Sequence, residues 1–322
     1  MTKPIARRTI VAGLAGLTLG ASAASFPALA QFGLRIGGTS DDENEDRGGF
    51  LNLNRLFSGV QSVFEGFTLD EKDEIRIGTN LFPKMVDRAG GPYGNRRAQR
   101  GIRNFSEELL KTSDRKNLPW EIVLVNNNTV NAWALPGGKI AIHKGLLRYT
   151  SSEDELAAVI AHEIGHVEMS HGLAQMKTED FTKGMSNIAR ETILKQTNKG
   201  ALNNLVLDQV EDRLMNTVTT GYSRDREFEA DQHILKVFEK TGHDPARASN
   251  FFKSLLTVMP PGTKGTTSLF STHPGTEDRI ERIEEAARDL SRPDHGIQPA
   301  RMEGFRTVKR YFPSRRKYRR HG

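Results

Sequence analysis

The spacing of hydrophobic residues along the chain predicts a mostly helical protein with a small β-sheet. Apolar residues recur at helical spacing in segments 68–88, 96–111, 152–167, 221–240, 246–258 and 277–290. Two short apolar runs, 120–125 and 139–143, lie next to turn-prone Asn and Gly residues and predict strands. The pattern therefore indicates an α+β protein that is predominantly helical.

The residues before the second strand favour a position at the edge of the sheet. Pro136, Gly137 and Gly138 stand at its start, and such residues are rare in a central strand. An exposed edge can hold an extended peptide by strand addition. An ordinary hairpin is the alternative, and periodicity does not separate the two.

One predicted helix is both well capped and buried. Ser152 is a suitable N-cap, and Glu155 three residues later completes a capping box. From Leu156 to Val167 the helix is apolar nearly all round, as a buried helix should be. Within it lies the sequence Ala161-His162-Glu163-Ile164-Gly165-His166.

This sequence has the spacing of a metal site. His162 and His166 are four residues apart and share a helix face, so both imidazoles can bind one metal ion. Glu163 then lies beside the open coordination position, where it can take a proton from an activated water molecule. Buried charge on such a helix requires compensation, which a metal dication would supply. A chance match to the five-residue pattern is the alternative.

A second predicted helix offers a third ligand. Glu227 and Asp231 are also four residues apart, and two His with one Glu is an established ligand set for catalytic zinc. We expect Glu227 to bind the metal and Asp231 to accept the other ring N–H of a ligating His. Acids on a helix are ordinarily solvated, and Glu229 is expected to be so.

Composition excludes several other chemistries. The chain has no Cys, which rules out disulfides, thiolate zinc sites, a cysteine nucleophile and a lipid-anchored N-terminal Cys. The net charge is +6, of which residues 1–30 contribute +3 and residues 301–322 contribute +8 (nine Lys and Arg against one Glu), which leaves −5 for residues 31–300. The basic charge is therefore concentrated at the two ends.

The first 64 residues are predicted to lie outside the folded domain. Residues 1–30 have a basic start, an apolar run and a small-residue cleavage site near Ala30, which indicates an export signal peptide; an uncleaved anchor is the alternative. The pair Arg7-Arg8 leaves the general secretory and twin-arginine routes both open. Residues 31–64 are expected to be an acidic, Gly-rich linker.

Residues 291–322 are predicted to form a basic C-terminal tail. From Arg301 to Gly322, Lys and Arg residues alternate with aromatic residues. Such a segment can bind an anionic membrane surface, and for an exported protein we expect no specific nucleic acid partner. A solvated tail is the alternative.

Four segments together resemble one known family. They are Asn131–Gly138 with Gly145–Leu147 behind it, His162–His166 continuing to His171-Gly172, Glu227 with Ala230-Asp231, and Thr272–Pro274 followed by Arg279-Ile280. Their order and spacing are similar to those of gluzincin metallopeptidases related to the CAAX prenyl endopeptidase and the bacterial heat-shock membrane protease, peptidase family M48. The resemblance covers about residues 65–290. It implies a zincin-like metallopeptidase domain whose small sheet has an edge strand facing the active-site helix.

The resemblance also implies roles for individual residues. It makes His162, His166 and Glu227 the ligands of one Zn²⁺ per chain, Glu163 the general base and Asp231 a supporting acid. His273, which by position alone is a turn residue, matches a histidine near the metal that either stabilises the transition state or takes the place of water in a resting form. The substrate-binding residues would be Asn131, Trp133, Ala134, Leu135, Pro136, Gly137 and Gly138.

The expected function is that of a zinc-dependent endopeptidase, periplasmic or secreted, which hydrolyses unfolded or misassembled envelope proteins in quality control. Two alternatives stay open. One is a gated or inactive metallopeptidase-like chaperone or assembly factor, and the other is a membrane-surface binder that acts through the basic tail. The sequence leaves the oligomeric state undetermined.

Overall fold

A computed structural model describes residues 70–176, 212–218, 220–258, 269, 272–274, 276–294, 296 and 299–314. The predictions for the export signal, the linker and residues 315–322 lie outside these described residues. The helices are α1 Glu71–Arg88, α2 Arg96–Leu110, α3 Glu153–Glu168, α4 His171–Met176, α5 Arg224–Thr241, α6 Asn250–Val258, α7 Thr276–Ala287 and α8 Pro299–Tyr311, and the strands are β1 Glu121–Val125, β2 Ala132–Leu135 and β3 Lys139–His143. Residues 212–218 are also helical. The predicted α+β class, predominantly helical, is confirmed.

The described part of the chain contains a three-stranded sheet that is buried on both faces. Its order is β1-β3-β2, with β1 parallel and β2 antiparallel to β3. Successive side chains alternate between two hydrophobic clusters. Trp133 and Leu135 face the cluster that contains α1, whereas Ile140 and Ile142 face the larger core around α2 and α3.

The prediction that residues 139–143 form an edge strand is wrong, because β3 is the central strand. Pro136, Gly137 and Gly138 form the turn between β2 and β3, and β2 is the edge strand that the sequence pattern missed. Since β2 is buried on both faces, Ala132–Leu135 shows no alternation of polar and apolar residues.

Some backbone N–H and C=O groups of strand β2 point away from its neighbour β3. The His143 N–H donates to the Asn131 carbonyl at 3.0 Å, and the register then pairs Trp133 with Ala141 and Leu135 with Lys139 in the hydrogen-bonded positions. The backbone N–H and C=O groups of Ala132 and Ala134 therefore point away from β3.

Helix α3 is a buried helix with a side-chain cap. The Glu155 N–H donates to Ser152 Oγ at 3.2 Å, as predicted, but the Glu155 carboxylate accepts from the Ser151 N–H rather than from Ser152. The second hydrogen bond of the capping box therefore comes from the residue before the N-cap, Ser151, and not from the N-cap itself. All residues from Glu153 to Val167 are buried.

Helices α3 and α5 approach closely at Gly165. A Cβ atom at this position would lie 2.9 Å from His233 Cβ and 3.1 Å from Ala230 Cα, both on α5. The missing side chain thus lets the backbones come together one turn from His162 and, on α5, one turn from Glu227. This contact brings the two predicted metal-binding helices to one place.

The C-terminal segment differs from the predicted tail in its described part. Residues 299–311 form α8, which packs against α2, and Phe312 is only 2% exposed. A Cβ atom at Gly304 would lie 2.7 Å from Phe105 N and 2.9 Å from Gly101 O, so the two helices cross in near backbone contact. The folded part of the chain therefore continues beyond the predicted boundary at residue 290.

Two cationic side chains of this segment form internal hydrogen bonds that stabilise the fold. Arg301, which is fully buried, donates from Nε to Glu153 Oε1 and from Nη2 to the Thr241 carbonyl, both at 2.7 Å. Lys309 Nζ donates to the carbonyls of Leu147 and Thr150 at 2.7 and 2.6 Å. These two charges are thus not free to bind a membrane surface.

Among the described residues, no helix combines the length and the apolar character that crossing a bilayer requires.

Candidate active site

Four buried side chains from three parts of the chain converge on one point. Helix α3 contributes His162 and His166, α5 contributes Glu227, and the segment before α7 contributes His273; each is at most 4% exposed. The Nε2 atoms of His162 and His166 lie 3.0 Å apart, and they lie 3.3 and 3.5 Å from the two Glu227 oxygens. The structure therefore brings together the three residues predicted to bind the metal.

These distances fit a single zinc ion. Zinc–ligand bonds of about 2.0–2.1 Å in tetrahedral geometry place neighbouring ligand atoms about 3.3 Å apart. The separations of 3.0, 3.3 and 3.5 Å among His162, His166 and Glu227 lie around this value. Imidazole nitrogen and carboxylate oxygen are donors that zinc prefers.

Glu163 lies beside this cluster with one oxygen unused. Its Oε1 is 3.5 Å from His273 Nε2, whereas its Oε2 is buried and has no hydrogen-bond partner in the described part of the chain. A buried carboxylate oxygen without a partner is costly unless a ligand or water completes the site. Burial also raises the pKa of Glu163, which favours the uptake of a proton.

Asp231 supports the first histidine from the opposite side of the ring. Its Oδ1 lies 3.0 Å from His162 Nδ1, on the nitrogen that faces away from the metal cluster. A proton on Nδ1 leaves the Nε2 lone pair free for a metal. The structure thus places Asp231 where the sequence predicted an acid that fixes the tautomer.

Arg279 joins the two carboxylates of α5, a contact that the sequence did not predict. This fully buried side chain donates twice to Asp231 at 2.7 Å and lies 2.8 Å from Glu227 Oε2. Burial opposes ionisation of Asp231, but the charge of Arg279 holds its pKa below the usual range. Burial likewise opposes ionisation of Glu227, and His273 and Arg279 together hold its pKa well below the usual range.

His273 lies within the ligand cluster rather than in an isolated turn. Its Nδ1 is 3.2 Å from His162 Nε2 and 3.1 Å from both oxygens of Glu227. The reading from position alone, a turn residue, is therefore incomplete. In this arrangement His273 could offer a fourth ligand atom, its Nδ1, to a metal held by the other three residues.

The predicted substrate-binding stretch divides into two groups. Ala134, Leu135 and Pro136 line a narrow cleft together with His166 and Tyr222. The other four residues are engaged elsewhere.

Trp133 donates from Nε1 to His143 Nε2 at 3.1 Å, and Asn131 Oδ1 accepts from Thr272 Oγ1 at 3.1 Å. The Gly137 N–H donates to Glu74 and the Gly138 carbonyl accepts from the Glu121 N–H. These contacts are structural, so the open side of β2 next to the metal cluster is limited to Ala134–Pro136.

Comparisons with known proteins agree with this site. The description "Peptidase family M48" matches residues 96–287, which include all four converging side chains and Glu163. The site and the fold are those of a zincin-like metallopeptidase. The chain belongs to peptidase family M48, and the predicted resemblance is confirmed.

Curated relatives carry protease names. A putative beta-barrel assembly-enhancing protease of Vibrio cholerae is 29% identical over 194 residues, which are 58% of this chain and 38% of the relative. The mitochondrial metalloendopeptidase OMA1 of Arabidopsis thaliana is 30% identical over 193 residues, which are 58% of this chain and 36% of the relative. The metalloprotease YcaL of Escherichia coli is 24% identical over 233 residues, which are 72% of this chain and 87% of the relative. The match thus spans well under half the length of the assembly-enhancing proteases.

Proposed function

We propose that this protein is an exported zinc-dependent endopeptidase that hydrolyses peptide bonds in unfolded or misassembled envelope proteins. The observation that carries the proposal is the convergence of His162, His166 and Glu227 beside the unpartnered Oε2 of Glu163. No ordinary structural role requires two imidazoles and a carboxylate, all buried, at ligand distances from one another.

His162, His166 and Glu227 would hold one Zn²⁺. Bound zinc would lower the pKa of a water molecule to about 7 and polarise the peptide carbonyl. Asp231 keeps the proton of His162 on Nδ1, and Arg279 keeps Asp231 and Glu227 ionised. With zinc bound, the site would thereby present two imidazole nitrogens and one negative charge to the metal.

Glu163 would move the proton in this reaction. Its free oxygen accepts the proton of the attacking water and returns it to the nitrogen of the departing amine. The raised pKa of Glu163 suits both steps, because the carboxylate must first bind the proton and then release it.

Strand β2 would hold the substrate in an extended conformation. The outward N–H and C=O groups of Ala134 can pair with a peptide backbone, and Ala134 lies in the same cleft as His166. Backbone pairing requires an extended segment, which unfolded chains offer and folded proteins do not.

The substrate class and the location rest on the relatives and on the leader. Beta-barrel assembly-enhancing proteases are named for enhancing the assembly of β-barrels, and residues 1–30 have the pattern of an export signal. We therefore place the protein in the periplasm or outside the cell, by either the general or the twin-arginine route.

A gated form of the same enzyme is the second candidate. His273 Nδ1 lies among the ligand atoms, where a catalytic water would otherwise approach. In such a form the protein would bind zinc and unfolded chains but cleave only when His273 moves away. A chaperone or assembly factor with a closed site would have the same arrangement permanently.

Membrane binding through Arg301–Gly322 has less support. Arg301 and Lys309 are committed to internal contacts, and in the described part of this segment Arg306 and Arg310 are the exposed cations. An association with anionic lipid would therefore depend on these two and on residues 315–322.

Cleavage of casein by the wild type and by Glu163→Gln tests the proposal. Both proteins are assayed for zinc by elemental analysis, and Glu239→Gln, an exposed change on α5, is the matched control. We expect cleavage by the wild type and the control, and none by zinc-loaded Glu163→Gln. Zinc in every variant without cleavage by any would favour the closed chaperone, and equal cleavage by Glu163→Gln would refute Glu163 as the base.

A further inference from the structure

We propose that His171 and Glu229 form a supporting pair that holds His166 in the ring orientation and tautomer needed to bind metal. The inference rests on the proposed zinc site, and it adds two positioning residues to it. Neither residue is proposed as a ligand. Glu229 is exposed, as expected, and it also contacts His171.

The three side chains form a continuous chain of contacts. His166 Nδ1 lies 2.8 Å from His171 Nδ1, and His171 Nε2 lies 2.9 Å from Glu229 Oε2. The other nitrogen of His166, Nε2, is the one that faces His162 and Glu227. This series of contacts therefore connects the candidate metal cluster with the surface of α5.

Only one placement of protons satisfies all these contacts when a metal is bound. His166 must keep the Nε2 lone pair for the metal, so its proton is on Nδ1 and is donated to His171 Nδ1. The proton of neutral His171 is then on Nε2, where it is donated to the Glu229 carboxylate. Each ring nitrogen has one partner, and the tautomer of His166 is fixed.

The support of His166 parallels that of His162. Asp231 contacts His162 Nδ1 directly at 3.0 Å, whereas Glu229 reaches His166 Nδ1 through His171. Both carboxylates come from α5, two residues apart. One helix thus orients both imidazole ligands and also provides Glu227.

The local backbone is arranged to bring His171 back towards His166. Ser170, between α3 and α4, has φ of +52°, a conformation that is uncommon for a residue with a side chain. This turn separates α3 from α4, and His171, five residues after His166, lies against its ring and is only 3% exposed. Arg115 Nη1 donates to Ser170 Oγ at 3.0 Å and stabilises the turn.

Tyr222 completes the enclosure of His166. Its ring stacks on the imidazole with centroids 4.2 Å apart and an angle of 20° between the planes. The face of His166 is thus fixed by Tyr222 and its edge by His171. A ring held in this way can rotate only if the contact with His171 is broken.

Zinc affinity measured on the full chain tests the inference without reference to cleavage. Competition with a chromophoric chelator gives the zinc Kd, and the visible spectrum of the cobalt(II) form reports the ligand geometry. The variants are His171→Leu, His171→Asn, Glu229→Ala and Glu229→Gln. Glu239→Ala, which removes the same charge from an exposed part of α5, is the control.

We expect His171→Leu to weaken zinc binding by about 10–100-fold, as losses of such outer partners do. His171→Asn should recover most of this affinity, since the Asn oxygen can accept the His166 proton where Nδ1 did. Because the Glu229 side chain is 57% exposed, Glu229→Ala should cost only about twofold to fivefold, with Glu229→Gln close to wild type.

A His171→Leu variant that binds zinc within twofold of the wild type, with an unchanged cobalt spectrum, would overturn the inference. Equal weakening by His171→Leu and His171→Asn would do the same, because it would indicate a purely structural role. If His171→Leu does not fold, the zinc Kd of Glu229→Ala is compared with that of Glu239→Ala. Equal Kd values would refute the proposed role of His171 and Glu229. A wild type that binds zinc but cleaves nothing would contradict the proposed function alone.

Discussion

Arg279 donates two hydrogen bonds of 2.7 Å to Asp231, and both residues are buried. The same guanidinium lies 2.8 Å from Glu227, so one cation stabilises both the proposed ligand Glu227 and Asp231, which supports His162. Without it, two carboxylates would be buried four residues apart on one helix. The negative charge that the metal requires is thus stabilised before any metal binds.

Replacement of Arg279 tests this role. Arg279→Leu leaves two buried carboxylates without their cation, and losing one partner of a buried pair costs about 3–5 kcal/mol. We expect a loss of this size in the unfolding free energy of the metal-free protein in urea. Arg279→Lys keeps the charge but cannot bind Asp231 with two nitrogens, so it should retain part of the stability. Equal stability of Arg279→Leu and wild type would contradict the account.

The edge of β2 is tested by removing one backbone donor. Ala134→Pro deletes an N–H that points away from β3, so the sheet keeps its own hydrogen bonds while a bound peptide loses one. We expect kcat/KM for casein peptides to fall about tenfold, with zinc content unchanged. Ala134→Gly retains the N–H and is the control. If Ala134→Pro cleaves as fast as Ala134→Gly, substrate does not pair with this edge.

The position of His273 among the ligand atoms predicts that it restrains the enzyme. His273→Ala removes the fourth candidate ligand, and we expect casein cleavage to rise about threefold to tenfold as the closed form loses population. The double variant with Glu163→Gln should be inactive, which ties the increase to this site. A fall in kcat for His273→Ala would instead assign His273 to transition-state stabilisation.

Helix α8 is predicted to be part of the domain. Deletion of residues 299–322 removes Arg301 from buried Glu153 and exposes the surface around Gly101, so we expect a large drop in melting temperature. Deletion of residues 315–322 alone should leave the melting temperature unchanged. If both deletions melt like the full chain, the segment contributes nothing to stability.

Sequence patterns located the candidate metal ligands and the acid beside them, because His162 and His166, and then Glu227 and Asp231, repeat at the spacing of one helix face. Arg279, His171 and Glu229 could not be recognised in this way. A charged residue on a helix has the same spacing whether it faces solvent or a buried carboxylate, and only the fold separates the two cases.

Two elements were misread for related reasons. Strand β2 is short and apolar on both faces, so it lacks the alternation that identifies a strand. In α8 and the residue after it, the many cations obscured Phe305, Val308 and Phe312, whose spacing of three and four residues is that of a buried helix face. Giving weight to that spacing over the charge would have predicted the helix.

A zinc titration of the metal-free protein, followed by casein cleavage, tests whether one bound zinc ion makes the protein active. We expect activity to rise linearly and to stop at one zinc per chain, while Glu163→Gln binds one equivalent of zinc and stays inactive. Full activity without metal, or a plateau that His162→Ala reaches as readily as the wild type, would contradict this expectation.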